Sequence, residues 1–129
     1  MSIYSVITGA GSGIGRALAQ QLATEGARLA LSDISEQGLA ETCATLPANC
    51  DHRSYVVDAS SKDAVYSHAA DVERDFGAAH FVFNNAGATV VGTIEHLDID
   101  EIEWQLGINL WGVIYGCKAF LPIMRRQNE

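Results

Sequence analysis

"VITGAGSGIGRALA", residues 6–19, decides how this chain is read. It lies across the junction of an apolar run, "SIYSVIT" at 2–8, and a segment in which Ile14, Leu18 and Leu22 recur at helical spacing as far as Glu25. Such a run reads as a strand and such a spacing as a helix. Gly26 follows as the residue that ends the helix. Between the two lie Gly9, Gly11, Gly13 and Gly15. Glycines there let the backbone turn tightly and come close to a pyrophosphate, while the helix start offers free N–H groups and a positive dipole end. A glycine-rich turn that binds nothing has the same composition. The strand–loop–helix context favours the nucleotide reading. No Gly-Lys-Ser/Thr follows, which excludes a P-loop, and Arg16 reads either as a neighbour of the phosphates or as a solvated helix residue.

A second apolar run, "ARLALSD" at 27–33, ends in Asp33, about 20 residues past the loop. A carboxylate in that place can accept both hydroxyls of an adenosine ribose and would repel a 2′-phosphate. Ile34 follows it and Ser12 sits inside the loop, so no cation is supplied for a phosphate. The expected cofactor is NAD rather than NADP. Taken alone, Asp33 would more simply cap the next turn.

The alternation continues. Residues 35–46 read as a helix started by Ser35 and ended before Pro47, 53–58 as a strand, and 61–76 as a helix with Ala64, Val65, Ala69, Val72 and Phe76 inward. Residues 79–87, "AHFVFNNAG", read as a fourth strand. The last helix is expected from about Ile99 to Arg126, capped by Asp98 with Glu101 three residues on, with a bend near Gly107. Strands and helices in strict alternation imply a parallel sheet with right-handed crossovers. "FVF" and "LAL" do not alternate in polarity, as expected of strands covered on both faces. The whole, residues 1–129, reads as one domain.

Composition removes several function classes. Net charge is −8 and the basic residues are scattered, which disfavours nucleic acid and acidic membranes. No apolar run is read as approaching the roughly 20 residues of a membrane span, and the N-terminus reads as a strand rather than a leader. Cys43, Cys50 and Cys117 are odd in number and lack CxxC spacing, so they read as small, at least partly buried residues in a reducing cytoplasm. His52, His68, His80 and His96 never pair at ligand spacing, so no metal site is expected.

With these motifs in place the chain resembles the short-chain dehydrogenase/reductase family. "TGAGSGIG" at 8–15 is similar to its cofactor loop, "NNAG" at 84–87 to its sheet-stabilising motif, Asp58 in "VVDAS" to its adenine-side aspartate, and Asn109 in "INLWGV" to the asparagine of its Asn-Ser-Tyr-Lys tetrad. The resemblance implies a Rossmann-like doubly wound α/β sheet of order 3-2-1-4, truncated before later strands. It implies NAD contacts from Gly9, Gly11, Ser12, Gly13, Ile14, Gly15, Asp33, Ile34, Asp58, Ala59, Asn85, Ala86 and Gly87. It gives Asn109 a catalytic role through its backbone carbonyl, which in the family holds a water linked to the active-site lysine.

Outside the family context, Asn84 and Asn85 would read as turn residues and Asp58 as a helix cap. Tyr115 and Lys118 are three apart on the helix of Asn109 and read as structural. The family's serine and Tyr-x-x-x-Lys are expected beyond this segment. The chain then reads as the N-terminal half of an oxidoreductase acting on an alcohol or carbonyl. It would be inactive alone, and its substrate would be selected mostly elsewhere, with Thr89, Val90 and Val91 as loop residues that could touch it. The alternative is a non-catalytic nucleotide-binding or oligomer-interface module. The apolar last helix and an unprotected fourth strand predict a homo-oligomer.

Overall fold

A computed structural model describes residues 2–128. The elements alternate as β1 (Tyr4–Thr8), α1 (Gly13–Thr24), β2 (Arg28–Asp33), α2 (Glu36–Ala44), β3 (His52–Val56), α3 (Lys62–Phe76) and β4 (Phe81–Phe83). The last helix follows as α4 (Ile99–Leu106), a wider π segment (Gly107–Trp111) and α5 (Gly112–Gln127). The four strands form one parallel sheet in the order β3-β2-β1-β4. β1 is central: Val6 registers with Ala30 on β2 and with Val82 on β4.

Alternate side chains of a strand point to opposite faces, so the sheet builds two cores. Val6 and Ala30 face Val65, Val72, Phe76, Phe120 and Ile123 of α3 and α5. Ile7, Leu29 and Leu31 face Ala19, Ala23 and Leu39 of α1 and α2. Ile7, Leu29 and Leu31 are wholly buried, and full burial of such a side chain stabilises the fold by roughly 1.5–3 kcal/mol. Local signals set the ends. The Ser35 hydroxyl accepts from the Gly38 N–H at 3.0 Å and the Ser61 hydroxyl from the Ala64 N–H at 3.3 Å. Gly26 and Gly77, at φ 84° and 75°, let the chain leave α1 and α3. At α4 the Glu101 carboxylate accepts from the Asp98 N–H at 3.0 Å.

Several expectations are corrected. The fourth strand is three residues long, because Asn85 and Ala86 leave the sheet to bond the end of β1 and the glycine loop. β3 stops at Val56, short of Asp58. Only β1 and β2 are covered on both faces: Phe81 on β4 and Val56 on β3 are more than half exposed. Ile14 is 78% exposed, so it is no part of the inward stripe of α1. Cys43 and Cys50 are partly buried, whereas Cys117 is exposed.

The last helix turns through a π segment at Gly107 rather than simply bending. It is one uninterrupted helix, Ile99–Gln127, long and apolar enough to cross a membrane by length and composition, which corrects the reading of the apolar runs. One face of it, carrying Gly112, Gly116, Ala119, Phe120 and Ile123, packs inward on the domain.

Candidate functional site

The C-terminal ends of the strands open into a cleft with a volume of about 390 Å³. Crevices of this kind lie where the strand order reverses in doubly wound sheets. Its floor is the glycine loop. Gly9 has φ +67°, and a Cβ there would come within 2.8 Å of the Ala86 Cα. A Cβ at Gly15 would collide with the Gly9 carbonyl oxygen, so the helix can start only this close to the strand without a side chain. α1 begins with no acidic residue in its first turn, and the Ser12 hydroxyl makes no capping bond. Among the described residues its first N–H groups therefore lack both helical and side-chain acceptors, which is the makings of an anion site.

Asp33 stands at the end of β2. Its Oδ2 accepts from the Gly11 N–H at 2.8 Å and its Oδ1 from the Ser35 N–H at 2.9 Å. Two backbone donors fix the carboxylate at the cleft and leave each oxygen with spare acceptor capacity. Asp58, just past β3, is held on one oxygen: Oδ1 accepts from the Ser60 N–H at 2.9 Å and the Ser60 hydroxyl at 2.6 Å.

The opposite rim is stitched to β1. The Asn85 side-chain amide donates to the carbonyls of Thr8 at 3.0 Å and Gly9 at 3.4 Å, and the Ala86 N–H donates to the Thr8 hydroxyl at 3.0 Å. The Asn109 side chain then brackets Ala88. It accepts from the Ala88 N–H at 2.9 Å and donates to the Ala88 carbonyl at 2.7 Å. Asn109 lies inside the π segment, a widened turn that recurs at functional sites. The Asn109 side chain is therefore the clip for the loop that follows "NNAG".

Gly9, Ser12, Gly13, Ile14, Asp33, Ile34, Asp58, Ala59, Asn85, Ala86 and Gly87 all line this cleft. Gly11 and Gly15 sit behind it, one against Asp33 and the other under Gly9, and Asn109 acts from beside it. Sequence reasoning missed the α4–α5 wall, with Trp104, Ile108 and Val113, and a deeper part with Val65, His68 and Phe120. Glycines four apart, Gly112 and Gly116, were the available signal for that wall. A Cβ on Gly112 would lie 2.9 Å from the Ala59 carbonyl oxygen, and one on Gly116 would overlap the Asn84 side chain.

His68 is 2% exposed, and among the described residues neither ring nitrogen has a hydrogen-bond partner. Burial lowers its pKa to about 4, against a small opposing effect of Asp71. Tyr115 packs on the core beside Trp111, Lys118 is exposed, and neither lines the cleft. Arg16 is neither at the phosphate site nor free in solvent: its guanidinium turns behind the loop to the Gly11 carbonyl and the Thr42 hydroxyl.

Comparison with known proteins gives a consistent picture. The short chain dehydrogenase family matches over residues 4–129. The oxidoreductase SadH of Mycobacterium tuberculosis is 44% identical over 119 residues, which are 92% of this chain and 43% of SadH. A short-chain dehydrogenase/reductase from Burkholderia phymatum, solved in complex with NAD, superposes with a TM-score of 0.95 at 39% identity, covering 99% of this chain and 46% of that one. An alcohol dehydrogenase from Thermococcus sibiricus, complexed with 5-hydroxy-NADP, gives 0.92 at 32% identity over 98% of this chain and 55% of its own. The chain thus spans about half the length of the proteins it matches.

Proposed function

Because the chain belongs to the short-chain dehydrogenase family, we propose that it forms the cofactor-holding part of an NAD-dependent oxidoreductase acting on an alcohol or carbonyl substrate. The glycine loop fits a dinucleotide: Gly9 and Gly15 leave room where a Cβ would collide, and the first turn of α1 is uncapped. Its N–H groups from Ser12 to Ile14 would meet the pyrophosphate. Asp33 would accept the adenosine ribose hydroxyls, and Asp58 and Ala59 would flank the adenine. Gly87 and Ala88, held by Asn109, would border the nicotinamide end. The dinucleotide, when bound, supplies the hydride acceptor or donor. This chain's residues bind it, orient it and line its cleft.

The observation that carries the preference for NAD is the Asp33 carboxylate fixed at a cleft that, among the described residues, no Lys or Arg lines. Ile34 follows, Ser12 lines the same cleft, and the Arg16 guanidinium is engaged behind the loop. A 2′-phosphate there would meet a negative charge only. One neighbour carries NAD and another an NADP derivative, so the discrimination rests on this chain's own residues. Titration with NAD and NADP tests it, and tighter binding of NADP would refute it.

We propose that the family's serine and its tyrosine–lysine pair lie outside residues 1–129 and that hydride transfer belongs to the whole protein. Assay of the chain alone with NAD and a panel of secondary alcohols is expected to show no turnover. The net charge of −8 and the scattered basic residues disfavour a nucleic-acid partner, and we propose the cytoplasm as the protein's compartment. A second role, as an assembly interface, is favoured by the exposed Trp104, Leu110, Trp111 and Leu121 on the last helix and by the open β4 edge. Such a chain would form homo-oligomers.

A further inference from the structure

The two peptide units that enter the glycine loop are held from behind by a pair of residues that never reach the cleft. Arg16 lies on the first turn of α1 and Thr42 on α2. The Arg16 Nη2 donates to the Gly11 carbonyl at 2.6 Å, to the Glu41 carboxylate at 3.1 Å and to the Gly38 carbonyl at 3.4 Å. Its Nε donates to the Thr42 hydroxyl at 2.9 Å, and that hydroxyl donates onward to the Ala10 carbonyl at 2.7 Å. Thr42 is wholly buried, so its hydroxyl is committed to these two bonds.

A trans peptide is planar, and its C=O and N–H point in opposite directions. Turning the Ala10 carbonyl toward Thr42 therefore turns the Gly11 N–H the other way, where it meets Asp33 Oδ2 at 2.8 Å. Turning the Gly11 carbonyl toward Arg16 likewise turns the Ser12 N–H away from it, and Ser12 lines the cleft. The two carbonyls point back to α2, and the two N–H groups point the other way, that of Gly11 to the Asp33 carboxylate.

We infer that Arg16 and Thr42 are positioning residues for the dinucleotide site, with Arg16 aiming the Ser12 N–H at the pyrophosphate and Thr42 aiming the Gly11 N–H at Asp33. This rests on the nucleotide reading above. It assigns the positive charge of Arg16 to the rear of the loop rather than to a phosphate.

The test is calorimetric titration of the full chain with NAD, ADP and adenosine. Arg16→Met keeps the stem and removes the fork. It is expected to weaken NAD and ADP by about tenfold and adenosine by less than about twofold. A purely structural loss would weaken all three alike. Thr42→Val is expected to weaken adenosine as well, because it disturbs Asp33, whereas Thr42→Ser retains wild-type affinities. If Arg16→Met melts below the assay temperature, Arg16→Lys, which keeps charge without the fork, carries the same comparison. Wild-type affinity for ADP in the Arg16 variant, or equal losses for ADP and adenosine, would overturn the assignment while leaving the nucleotide reading intact. Failure of the unmodified chain to bind NAD would overturn both.

Discussion

The Asp33 carboxylate accepts the Gly11 N–H at 2.8 Å, joining the end of β2 to the middle of the glycine loop across 22 residues. In the proposed cofactor site that bond would join the ribose-side acceptor to the phosphate-side donors. A Cβ on Gly11 would come within 2.8 Å of the same carboxylate oxygen, so the pairing also requires glycine. Gly11→Ala should displace Asp33 and weaken NAD binding about tenfold or more, a loss of a charge-assisted bond worth roughly 1.5–3 kcal/mol. Titration of the variant against wild type checks it, and unchanged affinity would mean the loop relaxes freely.

Gly15→Ala tests the closeness of α1 to β1. The added methyl would collide with the Gly9 carbonyl oxygen, which is backbone and cannot swing aside. Overpacking of this kind costs about 1–3 kcal/mol. A lowered melting temperature with loss of NAD binding is expected. Full stability and affinity would show that the helix start has slack.

His68 makes stability depend on pH. Its folded pKa of about 4 lies below the unfolded value of 6.5, so the unfolded chain binds the extra proton between them. Stability from keeping His68 neutral is present above about pH 6.5 and is lost as pH falls toward 4, by roughly 3 kcal/mol in all. His68→Leu removes two unpartnered buried nitrogens and should flatten this acid limb in urea melts from pH 7 to 4. An unchanged limb would place the sensitivity elsewhere.

Asn109→Leu should free the loop that follows "NNAG". The variant loses both bonds to Ala88, about 1 kcal/mol for an exposed pair. Faster amide exchange at Ala88, with little change in the sheet, is the expected readout. Equal protection in both proteins would contradict the clip.

The apolar last helix predicts self-association. Trp104, Leu106, Leu110, Trp111 and Leu121 are each about half exposed, more apolar surface than a solvated helix face needs. Light scattering at micromolar concentration should show a dimer or larger species. A monodisperse monomer would contradict it.

The alternation of strands and helices and the cleft's front edge were legible because they depend on spacing, whereas the strand order came with the family resemblance. Glycines at alternate positions and aspartates near strand ends mark backbone turns and termini directly, whatever the rest of the fold does. The shortened β4 was not legible, since "FVFNNAG" reads as one extended run until Asn85 and Ala86 find Thr8 and Gly9, partners more than 70 residues away. His68 sat three residues after Val65 and four before Val72, a helical spacing that marked it as inward, but its polarity hid it. The π segment around Asn109 left no trace in propensity. Arg16 and Thr42 meet only once α1 and α2 lie side by side.

The central claim is that this chain holds a dinucleotide through Asp33, and calorimetric titration of the purified chain tests it most directly. The account predicts that NAD binds, that NADP binds more weakly, and that Asp33→Ala loses about tenfold or more for NAD while narrowing the gap to NADP. No heat with either nucleotide, or an Asp33→Ala variant that binds NAD as tightly as wild type, would contradict it.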